Sequence, residues 1–132
     1  MSDLVFDFGG PSRLHEVMTY HDPADMKFMA ALKKLAPVEF EKFMDYQEVV
    51  SREDGEIPRR YREMIAIAVA LTTQCAYCLD VHTAAGREQG MTAEELAETA
   101  LIAGAVRGGG AVAHGLLAMK LYEDGGTHPS LR

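Results

Sequence analysis

The chain has 132 residues, with 13 Lys and Arg against 20 Asp and Glu and a formal net charge of −7 at neutral pH. That length fits one domain with a modest core, and an acidic chain without a Lys/Arg cluster offers nothing that could follow a phosphate backbone, so no nucleic-acid partner is expected. The N-terminus MSDLVFDFGG lacks a basic stretch followed by an apolar one, and the longest uncharged apolar runs fall far short of the roughly 20 residues that span a bilayer; a cytoplasmic protein with no membrane partner is expected.

Residues 1–21 read as an N-terminal arm: Val5, Phe6 and Phe8 suit an extended segment that packs on a neighbour, and Gly9-Gly10-Pro11 breaks any regular element. The helical domain is expected over 22–124. Asp22-Pro23 has the form of an N-cap followed by N1, and Phe28, Met29, Leu32, Leu35 and Ala36 make the apolar stripe of a first helix. Pro37 ends it and starts a second, in which Phe40, Phe43, Met44, Gln47 and Val50 recur at helical spacing before the polar turn SREDGE. The next segment, Pro58 to Leu71, is apolar on so many sides that it predicts a buried helix. Glu63 shares a face there with Ile67, Ala70 and Leu71, which is costly for a carboxylate without a partner. An imidazole or thiol could supply one, and so could Arg59, Arg60 or Arg62.

Both cysteines follow, three residues apart, with His82 four residues beyond the second. Thr72-Thr73-Gln74 interrupts the apolar run and predicts an N-cap, so that a helix over 75–89 carries Cys75 in its first turn and places Cys75, Cys78 and His82 within an arc of roughly 60°. Unpaired N–H groups and the positive dipole end stabilise a thiolate at such a helix start. A disulfide across so short a loop removes little unfolded-state entropy, so the pair reads as catalytic or metal-binding rather than as a staple. Two cysteines, a histidine and a glutamate are a permissible zinc set, although structural zinc usually takes paired knuckles. Gly90 is a natural C′ residue, and Thr92 with Glu95 forms a capping box that opens a fifth helix. Arg107 and Gly108-Gly109-Gly110 predict a break or sharp bend before a last helix running to about Glu123, with 125–132 as a flexible tail. No alternating strand pattern is present in the sequence, and the expected architecture is an all-α bundle of about six helices.

Glu63, eleven residues, CxxC, three residues, His82 is a spacing that resembles the AhpD-like alkylhydroperoxidases of the carboxymuconolactone decarboxylase superfamily. The resemblance extends through REMIAIAVALTTQCAYCLDVHTAAGREQGMTAEEL and covers about residues 58 to 106. It implies a thiol-dependent peroxidase with Cys78, Cys75, His82 and Glu63 as catalytic residues and no bound cofactor. In the implied mechanism Glu63 orients His82, His82 draws the proton from Cys78, the Cys78 thiolate attacks the peroxide, and Cys75 condenses with the resulting sulfenic acid. A dithiol such as dihydrolipoamide or a thioredoxin-like protein would then reduce the disulfide at the more exposed Cys75. Taken alone, the helix dipole favours Cys75 as the more reactive thiol; the order with Cys78 first comes from the resemblance.

One departure from some well-known members is Tyr77, where they carry a proton-transferring histidine just before the second cysteine. Rival readings are a general disulfide oxidoreductase or a redox sensor, a lactone decarboxylase, which does not need the CxxC, and a metal-binding protein. Among the remaining histidines, His114 lies in an Ala/Gly-rich helix that could approach the site, while His15, His21 and His128 read as surface residues. Both MIAIAVAL and TALIAGAVRGGGAVAHGLLAMKLY are apolar on nearly every side, more than a chain of this length can cover, so a homo-oligomer is expected. The resemblance adds that it would be a hexamer.

Overall fold

The computed structural model describes residues 21–125; the expected arm, apart from His21, and the tail from residue 126 lie outside them, as do His15 and His128. Among the described residues there is no strand. A 3-10 turn, Pro23–Phe28, leads into α1, Met29–Leu35, followed by α2, Pro37–Val50, α3, Arg59–Thr73, α4, Ala76–Glu88, and α5, Ala93–Glu123.

The entry is set by local capping. Asp22 accepts the N–H of Ala24 at 2.8 Å, and the Asp25 carboxylate accepts the N–H of Asp22 at 3.2 Å, a reciprocal pair that satisfies donors at a helix start. The expected first helix is thus divided into a 3-10 turn and a short α-helix. Ala36 leaves helical geometry at φ −135° and ψ 66°, as the residue before a proline tends to, and Pro37 opens α2. After the turn at 51–58, Arg59 donates to the Ser51 carbonyl, and Arg62 donates to those of Val50 and Ile57, each at 2.7 Å.

The core is the packing of α3 against both α4 and α5. Its most buried side chains are Glu63 and Ile67, each 1% exposed, together with Ala70, Thr99 and Ala103. The apolar α3 is therefore covered on one face only within the chain, while Ile65 and Val69 remain more than half exposed. Gly86 on α4 permits the close crossing: a Cβ there would lie 2.8 Å from the Met91 side chain and 3.6 Å from Glu63 Cβ. Gly90 takes the left-handed conformation, φ 78°, just past the end of α4, the C′ role the sequence predicts. The Thr92–Glu95 capping box is also formed, with N–H to oxygen distances of 2.9 and 3.2 Å, and Glu95 ion-pairs with Arg60 to tie the starts of α3 and α5 together.

The expected break at Gly108–Gly110 does not occur. α5 runs unbroken for 31 residues, and none of those three glycines adopts positive φ. Each glycine weakens a helix by about 1 kcal/mol relative to alanine, but no proline interrupts the run and good helix formers flank it. Arg107, expected at the break, instead donates to the Thr72 carbonyl at 2.6 Å and satisfies an acceptor at the end of α3. The described residues accordingly hold five α-helices, one fewer than expected. By length and composition α5 is also apolar enough to cross a membrane, with a mean hydropathy of 1.3, and in the single chain Leu101, Val106, Val112 and Leu116 are largely exposed.

Candidate functional site around Cys78, His82 and Glu63

Two helix ends meet at the cysteines. Thr72 and Thr73 close α3 by donating to the Val69 carbonyl, each at 2.9 Å, and Gln74 turns the chain through the left-handed region at φ 57° and ψ 40°. The N-cap of α4 is Cys75 itself rather than a residue of the Thr72–Gln74 segment, and its Sγ accepts the N–H of Cys78 at 3.3 Å. Cys75 therefore precedes the first turn, and Cys78 is the third residue within it. Sulfur takes the place that a serine or aspartate oxygen usually occupies at an N-cap. Cys75 and Cys78 are joined as a disulfide.

One turn further along α4, His82 reaches back to α3. Its Nδ1 lies 2.7 Å from Glu63 Oε2, and the other Glu63 oxygen lies 2.5 Å from the Arg59 guanidinium. A carboxylate facing Arg59 can only accept, so Nδ1 carries the hydrogen and Nε2 is left to take or give a proton. Both partners foreseen for Glu63 are thus present at once, an imidazole and an arginine of its own helix. Arg60 and Arg62 are occupied elsewhere, with Glu95 and with backbone carbonyls. Burial of Glu63 is tolerable because each oxygen has a partner, as an unpaired buried carboxylate would not be.

These groups open onto a cavity of about 1070 Å³. Cys78, His82, Glu63, Arg59 and Tyr77 supply its polar lining together with Asp25, Gln47, Ser51 and Arg62, and the apolar part includes Met26, Phe28, Met29, Leu32, Phe43, Met44 and Ile65. Cys75 is not in the lining. Of the three side chains expected on one helix face, Cys78 and His82 line the cavity and Cys75 stands at the helix start beside it. His114 is not in the lining: it is exposed on α5, with Nδ1 3.1 Å from the Gly110 carbonyl. No group of three or more His, Cys, Asp or Glu side chains among the described residues is arranged to hold a metal ion.

Sequence reasoning left Tyr77 unassigned and missed Asp25. The Tyr77 hydroxyl donates to Asp25 Oδ2 at 2.7 Å, a bond between residues 52 positions apart. That donation, with the Asp22 N–H, holds the Asp25 carboxyl below its usual range, and the Asp25 carboxylate in turn pushes the Tyr77 phenol above its own. Tyr77 thus stands in the structure as a hydrogen-bond donor to Asp25. His21, expected only as a surface residue, sets its ring 5.2 Å from that of Tyr77. Gly86 is the other residue missed, although a lone glycine within a helical pattern is the signal that marks a close helix crossing.

An all-α fold with a CxxC at a helix start, beside a half-buried His82 paired with the buried Glu63, defines the class. Residues 37–121 match the carboxymuconolactone decarboxylase family, and the chain belongs to it. It is similar to the apo form of a carboxymuconolactone decarboxylase family protein from Legionella pneumophila, whose crystal structure matches with a TM-score of 0.59 at 26% identity, covering 76% of this chain and 89% of that one. Over 71 residues it is 35% identical to a Paracoccus denitrificans protein named uncharacterized protein 4 in cox locus, covering 54% of this chain and 64% of that one. The chain thus spans less than two thirds of that relative's length.

Proposed function

We propose that this protein is a thiol-dependent peroxidase that reduces hydroperoxides through a dithiol–disulfide cycle at Cys75 and Cys78. The observation that carries the reading is the position of Cys78: it lines the cavity together with His82 and Glu63, while its disulfide partner Cys75 does not. An unperturbed thiol is mostly protonated at neutral pH, so attack on a peroxide needs a base within reach. His82 is one helical turn from Cys78 and is oriented by Glu63. It takes the Cys78 proton directly or through water. The thiolate attacks one oxygen of the O–O bond; that oxygen stays on sulfur as a sulfenic acid, and the other leaves as an alkoxide that takes the proton from His82 and departs as alcohol. The Cys75 thiol then displaces water from the sulfenic acid, giving the disulfide.

A dithiol reductant closes the cycle, becoming a disulfide as it returns two electrons and two protons to the cysteines. Dihydrolipoamide or a thioredoxin-like protein fits that role, and a cycle of this kind suits a reducing, cytoplasmic setting. No cofactor takes part. The cavity alone would suit other electrophiles, so general disulfide exchange is the alternative, in which Cys75 and Cys78 pass electrons to a disulfide substrate. The family's name points to lactone decarboxylation, a chemistry that has no use for a CxxC. The largely exposed apolar side of α5 would be covered by further copies of the chain in a homo-oligomer, with a hexamer as the expected form; its many Ala and Gly residues allow close helix approach, and Arg107 in its middle is unsuited to lipid.

Peroxide consumption with dihydrolipoamide, thioredoxin and glutathione in parallel tests the reading. Sustained turnover with a dithiol is the expected result. Reduction of a disulfide substrate without peroxide turnover would favour the exchange reading.

A further inference from the structure

The cavity's lining comes from two bodies of unequal rigidity. Cys78, His82 and Glu63 stand on the packed helices α3 and α4, whereas Met26, Phe28, Met29 and Leu32 come from the 3-10 turn and α1. Met26, Phe28 and Leu32 are also 40%, 58% and 55% exposed, so this side of the cavity is poorly covered within the chain. No residue of α1 or α2 is buried. Apolar packing therefore gives the segment little hold, and polar links must fix its position.

At the far end of α2 those links are the bonds from Arg59 and Arg62 to the Ser51 and Val50 carbonyls. At the near end the link is Tyr77, whose hydroxyl donates to Asp25 and whose ring meets His21. Each partner is well placed to transmit position. Asp25 belongs to the capping box of the 3-10 turn, so a hold on its carboxylate is a hold on the whole turn. Tyr77 lies between the two cysteines in the first turn of α4, one residue from Cys78.

We propose that Tyr77 and Asp25 form a latch that holds residues 22–35 closed over the cavity and so sets the size of molecule that can reach the Cys78 sulfur. Tyr77 is then a specificity-determining residue that acts through the wall it holds, and donates no proton to the reaction. The latch rests on the reading of Cys78 as the attacked thiol, but its test needs no peroxide.

In a reduced Cys75→Ser background, where Cys78 is the one thiol, alkylation rates are measured with N-methylmaleimide and with the much bulkier N-(1-pyrenyl)maleimide. Tyr77→Phe should raise the ratio of bulky to small rates roughly tenfold, the shift in opening that loss of a hydrogen bond to a charged acceptor produces. Asp25→Ala cuts the same bond without touching the CxxC turn. Because it also removes the acceptor of the Asp22 N–H in the capping box, it should raise the ratio at least as much, and Tyr77→Phe added to it should go no further than Asp25→Ala alone. Far-UV circular dichroism checks that the helices are retained. An unchanged ratio in both single variants overturns the latch, and so does equal acceleration of both reagents, which would mean a more reactive thiol rather than a wider entrance. Absence of peroxide turnover in the native protein would sink the peroxidase reading separately and leave the alkylation result standing.

Discussion

Residues 23–50 and residues 59–123 share one cavity but are held in place by different means. In the second region α3 packs against both α4 and α5, and on the face it turns to them Glu63, Ile67 and Ala70 are almost wholly removed from water. In the first, α1 and α2 pack on each other without burying a single side chain. The reactive groups sit on the packed region and the outer wall on the loose one. Reaction geometry needs side chains fixed to a fraction of an ångström, whereas entry needs an element that can move at little cost.

The largest effect that sharpens this contrast is expected at Cys78. Cys78→Ser should abolish peroxide turnover, while Cys75→Ser should consume about one equivalent of peroxide per chain and stop, leaving a sulfenic acid on Cys78 that a dimedone-type trap labels for mass spectrometry. Labelling at Cys75 in the Cys78→Ser protein, after consumption of about one equivalent of peroxide, would reverse the assignment.

Glu63→Gln comes next. It preserves shape and removes the charge that orients His82, so peroxide reduction should slow roughly a hundredfold, the low end of what positioned acid–base assistance supplies. The pH dependence of thiol alkylation should move upward in the same variant. An unmoved profile would make the Glu63–His82 contact an ordinary buried hydrogen bond.

Stability should divide along the same line as burial. Ile67→Ala removes a 1% exposed side chain at the centre of α3 and should cost about 2–4 kcal/mol in denaturant unfolding. Phe43→Ala removes a larger side chain that is 54% exposed on α2 and should cost only about half a kcal/mol. Equal losses would mean that α2 belongs to the same cooperative core as α3.

The smallest effect concerns the Thr92–Glu95–Arg60 cluster at the start of α5. The Thr92 N–H, and after it the Arg60 guanidinium, hold the Glu95 carboxyl below the usual glutamate range. A carboxyl depressed in the folded state contributes stability that is present above its unfolded pKa and is lost as the pH falls through the folded value. The melting temperature of Glu95→Gln should therefore lie slightly below that of the native protein at neutral pH. The two should converge as the pH falls below the glutamate range; a constant gap down to strongly acidic pH would rule out a charge effect.

The sequence made the Cys78–His82–Glu63 cluster legible and left the Tyr77–Asp25 bond hidden, for a physical reason. Cys78 and His82 are four residues apart on one helix, where periodicity fixes which side chains share a face. Glu63 announced itself as a carboxylate among aliphatic neighbours that had to find a partner. The caps at Asp22, Gly90 and Thr92 were readable because each is decided within a few residues. The Tyr77–Asp25 bond was not, since no local pattern encodes a contact between a 3-10 turn and the start of α4. The continuity of α5 was misread for the opposite reason: three glycines are a local breaking signal, and the helical context on either side overrode them. The position of Cys75 was misread by one step because the residues before it, Thr72 and Thr73, turn their hydroxyls back to close α3.

The central claim is that Cys75 and Cys78 cycle between dithiol and disulfide at the expense of peroxide. Steady-state consumption of an organic hydroperoxide by the purified protein, with dihydrolipoamide in excess, tests it most directly. The account predicts many turnovers per chain, eliminated by Cys78→Ser and limited to a single one by Cys75→Ser. Consumption that stops after one equivalent in the native protein, with the disulfide formed but not reduced by any dithiol, would contradict it.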